Sequence, residues 1–251
     1  MNETKRTFWD ERAQLNETAG TNDFMLKNME KELLLRRVKP GASVLDIGCG
    51  NGSTLIALAG QLGCTGLGLD FSESMLDLAR AATEAGLDKI LAFRHCGVQN
   101  LPQDLGLFDC AITERCLINL DSEAEQHTAF SSIMLHLRPG GRYFMIEGSI
   151  DGFHRLNEQR ALFGLEPIGP PWHNLLFNEE AVRGWASAEC VLEEIDSFAS
   201  TYYLLSRVVY ARLAQDSGEP LRYDSPINTI ACKLPAHGDY GPTRLWVWRR
   251  A

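Results

Sequence analysis

Three glycines at alternate positions, Gly48, Gly50 and Gly52, follow an acid, Asp46, that closes the apolar run Val44-Leu45. Glycine at that spacing forces a tight turn in which the backbone can come close to a ligand. Residues 44–47 read as a short buried strand. Residues 54–62 read as a helix, with Leu55, Ile56, Leu58, Ala59 and Leu62 forming its apolar face, so unpaired backbone N–H groups should point into the turn. A strand, a glycine turn and a helix in that order make a nucleotide-type site. Farther along, Asp70 ends a second apolar run and can accept hydrogen bonds from both ribose hydroxyls. Arg115 can hold an anion, and Glu147, His154 and His173 can take a proton.

Charge decides which nucleotide. A pyrophosphate fingerprint places glycines at the first, third and sixth positions, and the sixth here is Ser53. Asp46 would repel a pyrophosphate but suits a ligand that carries a sulfonium and an ammonium and no phosphate. Asp46-Ile47-Gly48-Cys49-Gly50-Asn51-Gly52 resembles motif I of the class I S-adenosylmethionine-dependent methyltransferases, whose usual form is acidic-x-Gly-x-Gly-x-Gly. The run Leu137-Arg138-Pro139-Gly140-Gly141 is a second recurrent feature of that family, so the resemblance covers residues 44 to 147. It implies a cofactor, S-adenosyl-L-methionine, and a product, S-adenosyl-L-homocysteine. The implied cofactor set is Asp46, Gly48, Gly50, Asn51, Gly52 and Asp70, joined by Phe71 against the adenine and by Met75, which packing alone would assign to the core. The family often reads Gly-Asp-Ala-x-x-Leu-Pro after the third strand. Aligned on Leu101-Pro102, that Asp falls on Gly97, so the adenine contact passes to the backbone at Val98 or the amide of Gln99. In the family, N-terminal helices cap the cofactor, which implies that Trp9 covers it and Arg12 meets its carboxylate.

The elements that must position these residues alternate strand and helix. The expected fold is α/β, a doubly wound, seven-stranded, mostly parallel sheet with an antiparallel last strand and helices on both faces. Residues 1–40 form an N-terminal helical cap, with helices from Phe8 and over 23–38 and a turn at 18–22; residues 41–197 form the Rossmann-like core. A helical insertion occupies 198–243 and the last strand 244–251. Within the core, helices are expected over 73–85 with Ser72 as N-cap, from 121 to 137, over 153–163 and over 179–188. The fifth strand should begin after the Pro-Gly-Gly stop. The chain has 251 residues, room for one large α/β domain. A formal charge of -9 argues against a nucleic-acid partner. The seven cysteines contain no C-x-x-C pair or zinc spacing, no run approaches transmembrane length, and residues 1–6 lack the apolar core of a signal peptide, so a reducing cytoplasm is expected.

In a parallel sheet the ligand lies beyond the carboxyl ends of the strands, so residues 113–116 should face the methyl group and the acceptor, with Glu114 on the cofactor side. The expected acceptor is a small molecule or glycan, most simply methylated on oxygen. For a hydroxyl acceptor the candidate bases are Glu147, His154 and His173, and Arg115 with Arg207 points to an anionic group. His127 has polar neighbours and reads as a surface residue. Residues 198–243 read as an acceptor-binding lid, and Tyr202, Tyr203, Arg207 and Tyr210 are spaced to share one helix face or to pack the insertion onto the domain. Two other readings stay open. An NAD-dependent oxidoreductase would share the turn and Asp70, and a non-catalytic S-adenosylmethionine-binding module would explain the missing adenine Asp.

Overall fold

A computed structural model describes residues 3–13, 15 and 21–251. Most of the turn expected at 18–22 lies outside the described residues. Seven strands, β1 (Ser43–Ile47), β2 (Thr65–Asp70), β3 (Leu91–His95), β4 (Phe108–Glu114), β5 (Leu137–Gly148), β6 (Cys190–Asp196) and β7 (Thr243–Arg250), form one sheet in the order β3-β2-β1-β4-β5-β7-β6. β7 runs antiparallel to both its neighbours and the other pairings are parallel. Strand order therefore reverses between β1 and β4, beside the glycine turn, where a ligand crevice opens in such sheets.

Helices α1 (Glu3–Ala13), α2 (Phe24–Arg37), α3 (Ser53–Leu62), α4 (Glu73–Ala82), α5 (Glu123–Leu135), α6 (Ile150–Leu162) and α7 (Glu179–Arg183) precede or connect the strands. β7 shows why there are two core layers. Leu245 and Val247 join Leu34, Leu55 and Leu58 on one face, while Trp246 and Trp248 join Phe130, Ile133 and Tyr143 on the other. β1 is central and almost wholly buried, as a parallel strand covered on both faces must be. Side-chain caps start several helices: Asp23 accepts from Leu26 N–H at α2, Ser122 from Glu125 N–H at α5 and Ser149 from Gly152 N–H at α6.

Three local expectations give way. Ser72 stands at the N-cap of α4 as expected, but its hydroxyl makes no capping bond; its N–H donates to Asp70. The Pro-Gly-Gly run does not separate helix from strand. α5 has already ended at Leu135, and β5 begins at Leu137 and carries the run along its edge, with a register shift opposite Phe108 and Cys110. The helix expected over 179–188 stops at Arg183.

The segment between β6 and β7 folds as α8 (Ser200–Leu204), a π-helical turn at Leu205–Val209, α9 (Tyr210–Ser217) and α10 (Pro226–Ala231). Tyr202, Tyr203, Val208 and Ala231 from this segment bury against Leu26 of α2 and Leu156 of α6, a third core that joins the segment to the N-terminal helices. No described helix is long and apolar enough to cross a membrane.

Candidate active site

The turn after β1 has φ of 73°, 54° and 71° at Gly48, Gly50 and Gly52, a left-handed conformation that glycine adopts without cost. Its amides are not the free ring the sequence suggested. Gly48 and Cys49 donate to the Leu69 carbonyl at 2.7 and 3.0 Å, Gly52 donates to the Cys49 carbonyl, and Gly50 donates to the Asp70 carboxylate at 2.8 Å. Donors that would cradle a pyrophosphate are thus engaged within the protein.

The acids around the turn are held out of water. Burial raises the Asp70 carboxyl, although N–H groups of Ser72 and Gly50 partly offset it. Burial, with Glu114 and Asp70 nearby, pushes Asp46 well above the usual range. A cation would stabilise these carboxylates in their charged form.

A cavity of about 520 Å³ opens over the turn. Of the residues expected to hold a cofactor, Trp9, Gly48, Gly50, Asp70, Phe71, Met75, Val98, Gln99 and Glu114 line it. Four others do not. Asp46 lies buried beneath, Asn51 turns its amide oxygen back toward Ser53 N–H, and Arg12 lines a different cavity. Gly52 is needed for packing, since a Cβ there would fall 2.8 Å from the Phe93 ring. The Gln99 amide donates to Glu125. Cys116, the last of the residues expected to face the ligand, lines the same wall, as do Leu120, which sequence reasoning passed over, and Asn119, which it read as a local turn residue.

That wall is the turn after β4. Arg115 adopts φ of 54°, the one positive value outside glycine among the described residues. Glu147, on β5, lies beneath and accepts the N–H groups of Cys116, Leu117 and Ile118 at 3.0, 2.9 and 3.2 Å. Asn119 donates to the Arg115 carbonyl at 2.7 Å. The turn is clamped from within, which allows a strained residue to persist at its apex.

These contacts correct the choice of base. Glu147 is fully buried and lines neither cavity near the turn, and its carboxylate organises backbone; burial holds its carboxyl up at about 7. His154 is exposed on α6 and also lines neither. His173 does reach a cavity. It packs against Phe8, Trp9 and Trp172 with ring centroids 4.7, 5.4 and 5.4 Å away, and burial, then Lys5 and Arg12, lowers its basicity.

This second cavity, about 430 Å³, shares Trp9 and Arg115 with the first, so the two chambers meet at those side chains. Arg115 is not free to receive an anion, because both oxygens of Glu30, a wholly buried residue of α2, accept from it. Arg207, placed in the second chamber by the π-helical turn, is likewise paired with Asp23 and lies 5.1 Å from the Tyr223 ring centre. Tyr202 donates to the same Asp23, Tyr203 bonds Thr243, and Tyr210 accepts from Arg222 N–H, so the four residues of the expected stripe divide between packing and the chamber wall. Among the described residues, no three His, Cys, Asp or Glu side chains converge as a metal site requires.

Comparison with known proteins agrees with this geometry. The methyltransferase domain family matches residues 44–141. A demethylmenaquinone methyltransferase from Lactococcus lactis subsp. lactis is 35% identical over 111 residues, 43% of this chain and 43% of that protein. An uncharacterised 37.1 kDa protein from a Streptomyces fradiae transposon is 37% identical over 117 residues, 45% of this chain and 32% of that one. The match thus spans less than half the length of these curated relatives. Among solved structures, a complex with the Haloferax volcanii Trm112 methyltransferase activator aligns with a TM-score of 0.64 at 20% identity, over 96% of this chain and 97% of that one. Geranyl diphosphate C-methyltransferase from Streptomyces coelicolor, solved with Mg2+, geranyl diphosphate and S-adenosyl-L-homocysteine, aligns with a TM-score of 0.58 at 20% identity, over 90% and 80%. Residues 44–141 thus resemble the methyltransferase domain family, and the sheet order is that of a Rossmann-like fold shared with these solved structures.

Proposed function

We propose that the protein transfers a methyl group from S-adenosylmethionine to a hydroxyl of a small molecule. The observation that carries the cofactor reading is the polarity of the first chamber, where acids face the cleft and the amides of the turn are already bonded. A sulfonium and an ammonium fit such a wall, whereas a pyrophosphate would meet carboxylates and few free donors. This also disfavours an NAD-dependent oxidoreductase.

When bound, S-adenosylmethionine supplies an electrophilic methyl group on a thioether leaving group. The chain's own part is alignment and exclusion of water. Asp70 would take the ribose hydroxyls, Phe71 and Val98 would flank the base, Glu114 would face the cationic end and Trp9 would cover it. The acceptor would enter from the second chamber, so that its oxygen meets the methyl group where Trp9 and Arg115 join the cavities. His173, on that chamber's wall, would accept the hydroxyl proton as the new C–O bond forms.

Calorimetric titration with S-adenosylhomocysteine and, separately, NAD tests the cofactor. Micromolar binding of the first and none of the second is expected, and the reverse would end this reading. His173→Phe should leave S-adenosylhomocysteine affinity within about twofold while lowering turnover of a hydroxyl acceptor by about 10²-fold or more.

A further inference from the structure

Resting on the reading of the second chamber as the acceptor site, we infer that the acceptor is an uncharged, largely apolar molecule carrying a hydroxyl, and neither an anion nor a sugar. The argument begins with α2. This helix turns two carboxylates inward, Asp23 at its cap and Glu30 nearly two turns on, with side chains 4% and 0% exposed. Each takes one arginine from the opposite wall, Arg207 and Arg115 respectively. Two of the three guanidinium groups on the chamber wall are therefore neutralised where they stand, and the third, Arg12, lies 5.6 Å over the Phe8 ring. At Arg115 or Arg207 an anionic acceptor would have to displace a buried carboxylate or lie beside it, and either costs more than one new pair returns.

The neutral polar groups are similarly engaged. The Tyr203 hydroxyl bonds Thr243 Oγ1 at 2.6 Å, and the Tyr202 hydroxyl bonds Asp23 at 2.7 Å. Among the buried polar side-chain atoms left without a partner, those on chamber residues are His173 Nδ1 and Asn174 Oδ1, adjacent in the chain. A sugar brings more hydroxyls than these and the side chains of Asn22 and Tyr223 can pair, and each one desolvated without a partner opposes binding. Phe8, Phe153, Leu156, Ile168 and Pro171 supply much of the apolar wall, beside the polar side chains of Arg12, Thr21, Asn22 and Tyr223. A volume of about 430 Å³ holds a drug-sized small molecule.

The test uses matched probes on the full chain, with and without S-adenosylhomocysteine: 2-naphthol, its anionic counterpart 2-naphthoate, and methyl glucoside, each titrated by calorimetry. The expected result is that 2-naphthol binds about tenfold or more tightly than 2-naphthoate, with no heat from the glucoside. Asp23→Asn keeps a capping side chain and leaves Arg207 unpaired. It should raise 2-naphthoate affinity about tenfold and leave that of 2-naphthol nearly unchanged. Equal binding of the two naphthalenes to the wild type, preference for the glucoside, binding of none of the three, or no response of 2-naphthoate to Asp23→Asn would overturn the inference. Failure of S-adenosylhomocysteine to bind would instead strike the cofactor reading, because the probe preferences are read without it as well.

Discussion

Gly48 and Gly63 have nearly the same backbone, φ of 73° and 66°, but different surroundings, so replacing each by alanine separates conformational strain from collision. At Gly63 an added Cβ meets nothing within 4 Å. The cost is then the left-handed conformation alone, about 1 kcal/mol. At Gly48 the same Cβ falls 2.6 Å from Cys116 Sγ and 2.8 Å from Cys116 Cβ. Cys116 cannot easily retreat, because its N–H and those of the next two residues are held by Glu147. Overpacking therefore adds about 1–3 kcal/mol, for a total of about 2–4. For a chain of this size, about 2–4 °C is lost per kcal/mol. Gly63→Ala should lower the melting temperature by about 2–4 °C and leave S-adenosylhomocysteine binding intact. Gly48→Ala should lower it by roughly 4–16 °C and weaken binding at least tenfold, as both walls of the cleft shift. Gly48→Ala with Cys116→Ala should recover part of the loss, since the closer of the two contacts disappears. Equal melting temperatures for the two single variants would show that Cys116 yields freely, and the idea of a rigid turn clamped by Glu147 would be wrong.

Arg115→Ala should destabilise the fold by about 3–5 kcal/mol in urea denaturation, because it strands Glu30 without its partner, and adding Glu30→Gln should restore part of that; additive losses would deny the pairing. Burial holds the carboxyls of Glu30 and Glu147 up at about 7, from an ordinary 4.5, and raises Asp46 and Asp70 as well. Between those limits the folded state binds more protons than the unfolded one, so this contribution is complete below about 4.5 and lost as pH rises through 7. The ligand-free protein should accordingly melt several degrees higher at pH 5 than at pH 8, and a flat or rising profile across that range would refute the assignment. Burial raises the thiols of Cys49 and Cys116 well above their usual range and pushes Cys110 to about 12. Iodoacetamide at pH 8 should leave these three unmodified until urea is added, as read by peptide mass spectrometry.

Local chemistry made much of this legible in advance. Gly48, Gly50 and Asp70 announce themselves because a left-handed turn and a strand-terminal acid leave residue types that little else explains, and the alternation in β7 reads directly as a two-faced strand. Charge partners across the fold left no such trace. Glu30 looks like an ordinary acid of an amphipathic helix, and nothing local says that it faces Arg115, 85 residues away. Glu147 was chosen as a base because it ends a strand beside the crevice, but strand position does not reveal whether a carboxylate looks into the cleft or down at three amides. The π-helical turn escaped for a similar reason, since residues 202–213 read as one continuous helix and the contacts of Tyr202, Tyr203 and Val208 with Leu26 of α2 and Leu156 of α6 are long-range. Asn119 had a detectable signal, an amide just after a strand end, but its part in holding Arg115 depends on a backbone conformation that the sequence does not encode locally.

The contact between Asp23 and Arg207 joins residues 184 positions apart, and Tyr202 reaches the same carboxylate. The N-terminal helix and the segment before the last strand are therefore not independent modules attached to a common sheet. A chimaera that exchanges residues 198–243 with those of a relative would leave Asp23 facing a foreign side chain, and one that exchanges the first forty residues would leave Arg207 unpaired inside the chamber. Recombination that keeps function must move the two segments together, even though most of the sheet lies between them in the gene. In a directed-evolution library, change at position 23 should be tolerated chiefly in company with change at 207, and acceptor preference should be inherited from both ends of the chain at once.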